Sequence, residues 1–191
     1  MPVNVNDVVL RTIKPFEIAK AVAASFQKHF FIKDTFVRGR VPFRRYQSSV
    51  TGDMAKLLVK TWLEENGFTV IDWDDARTSW RTQRKPYDLK VNEHEIEVRS
   101  SFSKFTTVQQ LLAKEHIIHP CNVGVKEITL QIFWRDKQCT EAWLCGWTRK
   151  TDLEDNSLVG VRRVNGRLVD FYMMPFSHPN AMPVNQLPNY L

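Results

Sequence analysis

Carboxylates and basic side chains alternate along two short segments, a combination that can bind a divalent cation and neutralise an anion. The first segment contains Asp88 and Lys90, and the second contains Glu95, Glu97 and Arg99. Side chains two residues apart on a strand point to the same face, so each segment would present its charges on one side. The spacing therefore predicts a β-hairpin with one charged face.

The turn between these two segments decides which charges meet. A turn centred on residues 92–93 places Asp88 opposite Glu97. Two opposed carboxylates destabilise a sheet unless a positive charge lies between them. Mg²⁺ or Mn²⁺ would supply that charge, since both prefer hard oxygen ligands. A shifted turn would instead pair Asp88 with Arg99 and Lys90 with Glu97 as ordinary ion pairs, and the sequence leaves both registers open.

The elements that would position the hairpin follow from hydrophobic periodicity and turn residues. Apolar spacing predicts helices over residues 15–31, 53–65 and 105–116. Alternation and turn signals predict strands over residues 68–73, 87–91, 95–100, 128–134, 141–147, 158–164 and 167–173. Thr51 would cap the second helix, on whose apolar face Met54, Leu58 and Trp62 lie.

We expect these elements to form a single domain over residues 1–191. Its core would span about 50–134, preceded by a helix and basic arm over 15–50. C-terminal strands and a proline-containing, extended or irregular tail would occupy 140–191.

The order helix, three strands, helix, strand, with the motifs "PYD" and "EVRS", resembles the PD-(D/E)xK nuclease superfamily over about residues 50–134. The resemblance implies an α/β (α+β) fold with a restriction-endonuclease-like core. Such a core is a central mixed β-sheet flanked by helices, here with extra C-terminal β-hairpins. It implies that Asp88 and Glu97 bind Mg²⁺, or Mn²⁺ in its place, and that Asp53 on the preceding helix is a further metal-binding acid.

The sequence departs from this family where a lysine is expected, because Arg99 stands there. An arginine is effectively always protonated and cannot act as a general base. It can still stabilise developing negative charge at a phosphate. Lys90 would lie on the same hairpin face and is the candidate to replace the missing lysine.

Positive charge is concentrated in two segments of a chain whose formal net charge is +6. Residues 28–49 hold six Lys or Arg against one acid, and residues 77–90 hold five against one. Arginine suits bidentate phosphate contacts, and aromatic side chains among the arginines suit base stacking. The predicted nucleic-acid-binding residues are Arg38, Arg40, Arg44, Arg45, Arg77, Arg81, Arg84, Lys85 and Trp80.

These features together predict a metal-dependent nuclease acting on DNA, favoured over RNA, and most simply an endonuclease of restriction or repair type. The alternatives are a catalytically inactive nucleic-acid-binding module of the same fold and a protein-interaction domain whose charges are surface charges. A homodimer would suit double-strand cutting, although no segment specifies a self-complementary surface.

Several other classes of protein are disfavoured. The chain has no apolar stretch of the roughly 18 residues needed to span a membrane, and residues 1–14 lack a secretory pattern. Three cysteines without CxxC spacing favour a reducing, cytoplasmic setting. Phosphate-binding glycine loops and the GxSxG motif are missing. A zinc site would need His116, His119 and Cys121 with Cys139 or Cys145, and their spacing favours ordinary packing instead.

Overall fold

The computed structural model describes residues 2–29, 42–76, 87–164 and 167–191. The helices are α1 (Pro15–His29), α2 (Pro42–Glu65), α3 (Trp73–Ala76), α4 (Val108–Lys114), α5 (Lys150–Leu153) and α6 (Leu187–Tyr190). The strands are β1 (Val9–Thr12), β2 (Val70–Asp72), β3 (Leu89–Val91), β4 (His94–Phe102), β5 (His116–Pro120), β6 (Ile128–Trp134), β7 (Glu141–Arg149), β8 (Val159–Val164), β9 (Arg167–Pro175) and β10 (Met182–Pro183).

A mixed sheet with the strand order β1-β7-β6-β4-β3-β2 organises the described residues. Strands β4 and β6 run parallel, and the other neighbours in this sheet are antiparallel. Strand β10 also pairs with β7. A second, antiparallel sheet has the order β5-β9-β8. The predicted α/β class, a mixed sheet flanked by helices with a further C-terminal hairpin, is confirmed.

One face of the mixed sheet packs against α1 and α2 to form the first core. The predicted apolar stripe of α2, Met54, Leu58 and Trp62, is buried there. From the hairpin, Leu89 and Ile96 are fully buried in the same core. Because side chains alternate along each strand, the hairpin's charged residues point to the opposite face.

The opposite face of the mixed sheet packs against α4 and the second sheet. Phe133 of β6 and Trp143 of β7 are buried there with Leu111 of α4, Ile117 of β5 and Met174 of β9. This second core lies beside the charged face of the hairpin, so β5 is brought over β4 and β6.

All seven predicted strands exist, with ends displaced by a few residues, but several other expectations were wrong. Helix α2 begins at Pro42, not at residue 53, so part of the predicted basic arm is helical. Proline suits the first turn of a helix, where its missing N–H is not needed. Thr51 is therefore not a cap, and its Oγ1 donates a hydrogen bond to the Ser48 carbonyl, 3.1 Å away, inside the helix.

Helical spacing predicts an apolar face of α1 made of Ile18, Val22 and Phe26, and the buried face differs from it. Val22 and Phe26 are 39% and 58% exposed, whereas Glu17 and Ser25 are buried. Glu17 is satisfied inside the fold, because its carboxylate accepts from Lys14 N–H at 2.6 Å and from the Thr61 hydroxyl at 2.7 Å. Burial of these polar groups is tolerated because each finds a partner.

The chain also contains elements that the sequence did not predict. Strands β1 and β5 were missed, and the third predicted helix, 105–116, is only Val108–Lys114. Thr107 caps it by accepting from Gln110 N–H at 3.3 Å. The tail is more regular than expected, since it forms β10, a 3₁₀ turn over Val184–Gln186, and α6. In the ranges that the structure describes, no helix is both long and apolar enough to cross a membrane.

Candidate functional site

The hairpin between β3 and β4 has the register that brings its two acids together. Leu89 pairs with Ile96 and Val91 with His94, which leaves a two-residue turn at 92–93. Asp88 directly precedes β3 and Glu97 directly follows Ile96, so this register, continued by one residue beyond the paired strands, would set Asp88 across from Glu97. The predicted turn is therefore confirmed, and the shifted register that would pair Asp88 with Arg99 is wrong.

Asp88 is buried at the start of β3 and is held by backbone groups. Its Oδ2 accepts from the Val98 N–H at 2.8 Å, and its own N–H donates to the Ile96 carbonyl at 3.1 Å. Its carbonyl accepts from the Trp73 N–H at 3.3 Å. The Asp88 carboxylate is thus fixed beside the backbone of β4, next to Glu97.

Glu97 and Arg99, two residues apart on β4, form an ion pair. Arg99 Nη2 lies 3.0 Å from Glu97 Oε1, and the two side chains are 25% and 18% exposed. A charge-assisted contact at this distance orients both groups. The site therefore contains the Glu97–Arg99 ion pair and the Asp88 carboxylate, which is bound to the backbone N–H of the residue between them.

His119, on β5, is the second partner of Arg99. Its ring is fully buried, and Nε2 lies 3.0 Å from Arg99 Nη2. Nδ1 lies 3.0 Å from the Pro120 carbonyl, which can only accept, so Nδ1 carries the proton and Nε2 accepts from Arg99. Burial and then the charge of Arg99 lower the pKa of His119 to about 4, so the ring is neutral at neutral pH.

Strand β6 adds two buried polar side chains to this face. Thr129 pairs with Glu97 and Gln131 with Arg99 in the parallel register. Gln131 Oε1 accepts from Ile118 N–H of β5 at 3.4 Å, and its Nε2 donates to the Ile132 carbonyl at 2.9 Å. Within the described ranges, Thr129 Oγ1 and Arg99 Nε are buried without a hydrogen-bond partner. Unsatisfied buried polar atoms are uncommon, so this polar region departs from ordinary core packing.

The remaining predicted catalytic residues lie apart from this acid pair. Asp53 is buried on α2, and its Oδ2 accepts from the Ser25 hydroxyl of α1 at 2.5 Å. Lys90 Nζ lies 3.2 Å from Glu93 Oε2 at the turn. Over the ranges with described coordinates, no three or more His, Cys, Asp or Glu side chains form a group that could hold a metal. Thus the structure pairs Glu97 with Arg99 and binds Asp88 to the backbone of the same strand, but the described residues do not gather Asp53 with these acids into a metal-binding group.

The protonation of the buried cysteines bears on the zinc alternative. Cys139 and Cys145 are buried, and burial raises the pKa of the Cys139 thiol to about 11 and that of the Cys145 thiol still further. Such thiols remain protonated at neutral pH and are poor metal ligands. The described His and Cys residues give no support for zinc.

The predicted nucleic-acid-binding side chains lie outside what the structure describes. For Arg44 and Arg45 the structure describes only the helical backbone of α2. The others are in residues 30–41 and 77–86, and they are Arg38, Arg40, Arg77, Arg81, Arg84, Lys85 and Trp80. Their contacts with nucleic acid stay a prediction.

Sequence reasoning missed the partners that surround Arg99 and a buried charge cluster on α2. His119, Thr129 and Gln131 are polar residues within otherwise apolar strand segments, and that interruption was the available signal. Lys56 likewise interrupts the apolar run 54–59, and its Nζ lies 2.7 Å from Asp72 Oδ1 and 2.5 Å from Asp74 Oδ2. None of these residues could be linked to its partner without the fold.

Comparison of the chain with protein-family models, with curated proteins and with solved structures gave no match.

Proposed function

We propose that the chain is a metal-dependent nuclease that hydrolyses phosphodiester bonds in DNA, most simply as an endonuclease of restriction or repair type. The observation that carries this proposal is the hairpin register, which pairs Leu89 with Ile96 and so brings Asp88 to the part of β4 that carries Glu97, where Asp88 Oδ2 accepts from the Val98 N–H. Arg99 lies 3.0 Å from Glu97 on the same face. Two acids beside a fixed cation are suited to a phosphate group and its counter-ion.

The order of elements supports the proposal of a restriction-endonuclease-like core. Helix α2, strands β2, β3 and β4, helix α4, and β6 parallel to β4 follow the order that the resemblance to PD-(D/E)xK nucleases implies. Helix α3, between β2 and β3, is an addition to that order, and so is strand β5, which is inserted between α4 and β6. It carries His119 onto the site.

The donor set fits Mg²⁺ or Mn²⁺, because Mg²⁺ is commonly bound by one or two carboxylates completed by water and substrate phosphate. Asp88 and Glu97 would hold the ion, and Asp53 is retained as a proposed further acid. When bound, such an ion supplies Lewis-acid stabilisation and lowers the pKa of a bound water. Glu97 is also ion-paired with Arg99.

The chain's own groups have separate roles in this proposal. The Val98 N–H orients Asp88 Oδ2. Arg99 is permanently charged, so it binds a phosphate oxygen and stabilises developing negative charge but does not remove a proton. Lys90 is the proposed substitute for the family's lysine. The arginine-rich segments within 28–49 and 77–90 would bind the phosphate backbone.

A second candidate function is a catalytically inactive nucleic-acid-binding module. The specific observation that favours it is the ion pair between Arg99 and Glu97, because a guanidinium can offset the charge of this acid without a metal. In that case the chain would bind DNA through its basic segments but would not cut it.

The decisive experiment is a cleavage assay on supercoiled, linear and single-stranded DNA with Mg²⁺, Mn²⁺ or EDTA. We expect metal-dependent products from the wild type and a loss of at least a hundredfold in Asp88→Asn and Glu97→Gln, on the order expected when transition-state stabilisation is removed. Glu95→Gln is the matched control, since Glu95 shares the strand and the face but pairs with Lys90 instead.

Two results would contradict the nuclease proposal. One is an Asp88→Asn protein, folded by circular dichroism, that cleaves as fast as the wild type. The other is a wild type that binds a labelled duplex but gives no products with either metal, which would establish the inactive binding module instead.

A further inference from the structure

Arg99 is fixed by two acceptors that come from different sheets. A single nitrogen, Nη2, lies 3.0 Å from both Glu97 Oε1 and His119 Nε2. The other terminal nitrogen, Nη1, forms no hydrogen bond with the part of the chain that the structure describes. The side chain is 25% exposed, and Nε is its one buried nitrogen without a partner among the described residues, so Nη1 is accessible to an outside acceptor such as a phosphate oxygen.

The His119 ring can fill its role in only one tautomer. Nδ1–H is used by the Pro120 carbonyl at 3.0 Å, which leaves the Nε2 lone pair for the Arg99 guanidinium. The ring is fully buried, so solvent does not compete for Nε2. Gln131 of β6 holds the adjacent Ile118 N–H of β5 at 3.4 Å, and this contact fixes β5 over the mixed sheet.

Without His119, Glu97 would be the one remaining acceptor for Arg99 Nη2 among the described residues. Arg99 would then be free to turn toward Glu97 alone and to cover that carboxylate more fully. An arginine that closes over Glu97 would block the oxygen needed for a cation and would withdraw from a substrate phosphate. The buried ring therefore matters for the direction of the guanidinium rather than for its charge.

We propose that His119 is the positioning residue for Arg99, holding the guanidinium through Nη2 so that Nη1 binds a phosphate oxygen of the DNA backbone. This inference rests on the proposed nuclease function. It names a phosphodiester oxygen as the ligand of Arg99 and assigns to β5 a part in the site. His119 itself does not touch the substrate.

The first test is a spectroscopic measurement on the wild-type protein. Two-dimensional ¹H–¹⁵N spectra of the histidine rings between pH 5.5 and 8 should show His119 as the neutral Nδ1–H tautomer with an unprotonated Nε2. An Nε2–H tautomer or a charged ring in this range would overturn the inference, because neither can accept from Arg99.

The second test compares His119→Gln, which keeps an acceptor, with His119→Leu, which does not. Affinity for a fluorescent DNA duplex is measured in EDTA, and kcat and KM are measured with Mg²⁺. We expect His119→Leu to lose affinity and kcat by about ten- to a hundredfold, the scale found for partners that orient a functional group. His119→Gln should recover most of both.

The two tests separate this inference from the proposed function. If the wild type does not cleave DNA, the nuclease proposal fails, yet the ring tautomer and the EDTA affinities still decide the role of His119. Wild-type affinity in a folded His119→Leu protein would overturn the inference. Equal losses in the Leu and Gln variants, matching their loss of stability, would also overturn it by showing a purely structural role.

Discussion

The Lys56 ammonium is buried on α2 and is neutralised by two acids from the following elements. Asp72 ends β2, and Asp74 lies in α3, so the three charges join the helix to the sheet edge. Asp74 N–H also donates to Asp72 Oδ1 at 2.8 Å. A buried pair of this kind adds little net stability, but breaking it leaves an uncompensated charge in the core.

Replacement of Lys56 by Met should lower the free energy of unfolding by about 3–5 kcal/mol, because Asp72 would stay buried without the ammonium that lies 2.7 Å from its Oδ1. Urea denaturation followed by fluorescence measures the change. Lys60→Met is the matched control one turn later on α2, where the partner Asp75 is half exposed and the expected cost is below about 1 kcal/mol. If the two variants lost similar free energies of unfolding, the proposed effect of burying the Lys56 ion pair would be contradicted.

His119 makes the stability of the protein depend on pH in a defined window. The pKa of its ring is about 4 in the folded chain, against an ordinary value of 6.5, because burial and the charges of Arg99 and Lys126 oppose protonation. Above pH 6.5 both folded and unfolded chains hold a neutral ring, and no stability is lost. As pH falls from 6.5 to 4 only the unfolded chain gains the proton, so the folded state is progressively destabilised.

Between pH 7 and pH 4, this residue should remove about 3 kcal/mol from the free energy of unfolding. Denaturation curves of the wild type and of His119→Gln across this range isolate the contribution, since glutamine does not titrate and the carboxylates are common to both. Parallel pH profiles for the two proteins would contradict a depressed pKa of His119.

At the scale of elements, Gly146 allows β10 and Val3 to lie close against β7. A Cβ at this position would lie 2.9 Å from the Met182 carbonyl of β10 and 3.1 Å from Val3 Cγ2. Because the first contact is with backbone, Gly146→Ala should lower the unfolding free energy by about 1–3 kcal/mol. Gly124→Ala is the control, since nothing lies within 4 Å of its Cβ, and thermal unfolding compares the two. An unchanged stability of Gly146→Ala would show that β10 does not pack against β7.

The hairpin and the second helix were predictable because their signals are local. Two residues between two alternating segments fix the register of β3 and β4, in which Leu89 pairs with Ile96 and Val91 with His94. The stripe Met54, Leu58 and Trp62 recurs at helical spacing and is buried. In each case the pattern and the packing depend on residues close in sequence.

The elements that were missed depend on distant partners. Strand β5 is extended because it pairs with β9, and β1 because it pairs with β7. The buried face of α1 follows from Ser25 meeting Asp53 and Glu17 meeting Thr61 on another helix. The same reason hid His119 and Gln131 from the predicted site, since their proximity to Arg99 exists only in the folded sheet.

For the molecule as a whole, a formal net charge of +6 and a pI near 9.3 favour a polyanionic partner. If the basic segments bind DNA, the logarithm of the association constant should fall linearly with the logarithm of salt concentration. Arg81→Ala with Arg84→Ala should reduce the magnitude of that slope by about 2, one unit for each lost phosphate contact. Fluorescence anisotropy with a labelled duplex measures it.

Arg149→Ala with Arg163→Ala, on β7 and β8, is the control for net charge, because this double variant also removes two positive charges but at other positions. The slope should then be close to that of the wild type. Equal reductions in the two double variants would contradict a localised interface and would indicate a diffuse attraction.

The pairing of β1 with β7, as of Val9 with Leu144, and of β4 with β6 determines the order in which a newly made chain can form its mixed sheet. While the ribosome is still producing the middle of the protein, β1 has no partner and the acidic hairpin lacks the neighbour that supplies Thr129 and Gln131. Closing such long loops is slow compared with helix formation. A truncated nascent chain that stops before β6 would therefore already contain Asp88 and Glu97 but would lack the strand that pairs with β4 and supplies Thr129 and Gln131.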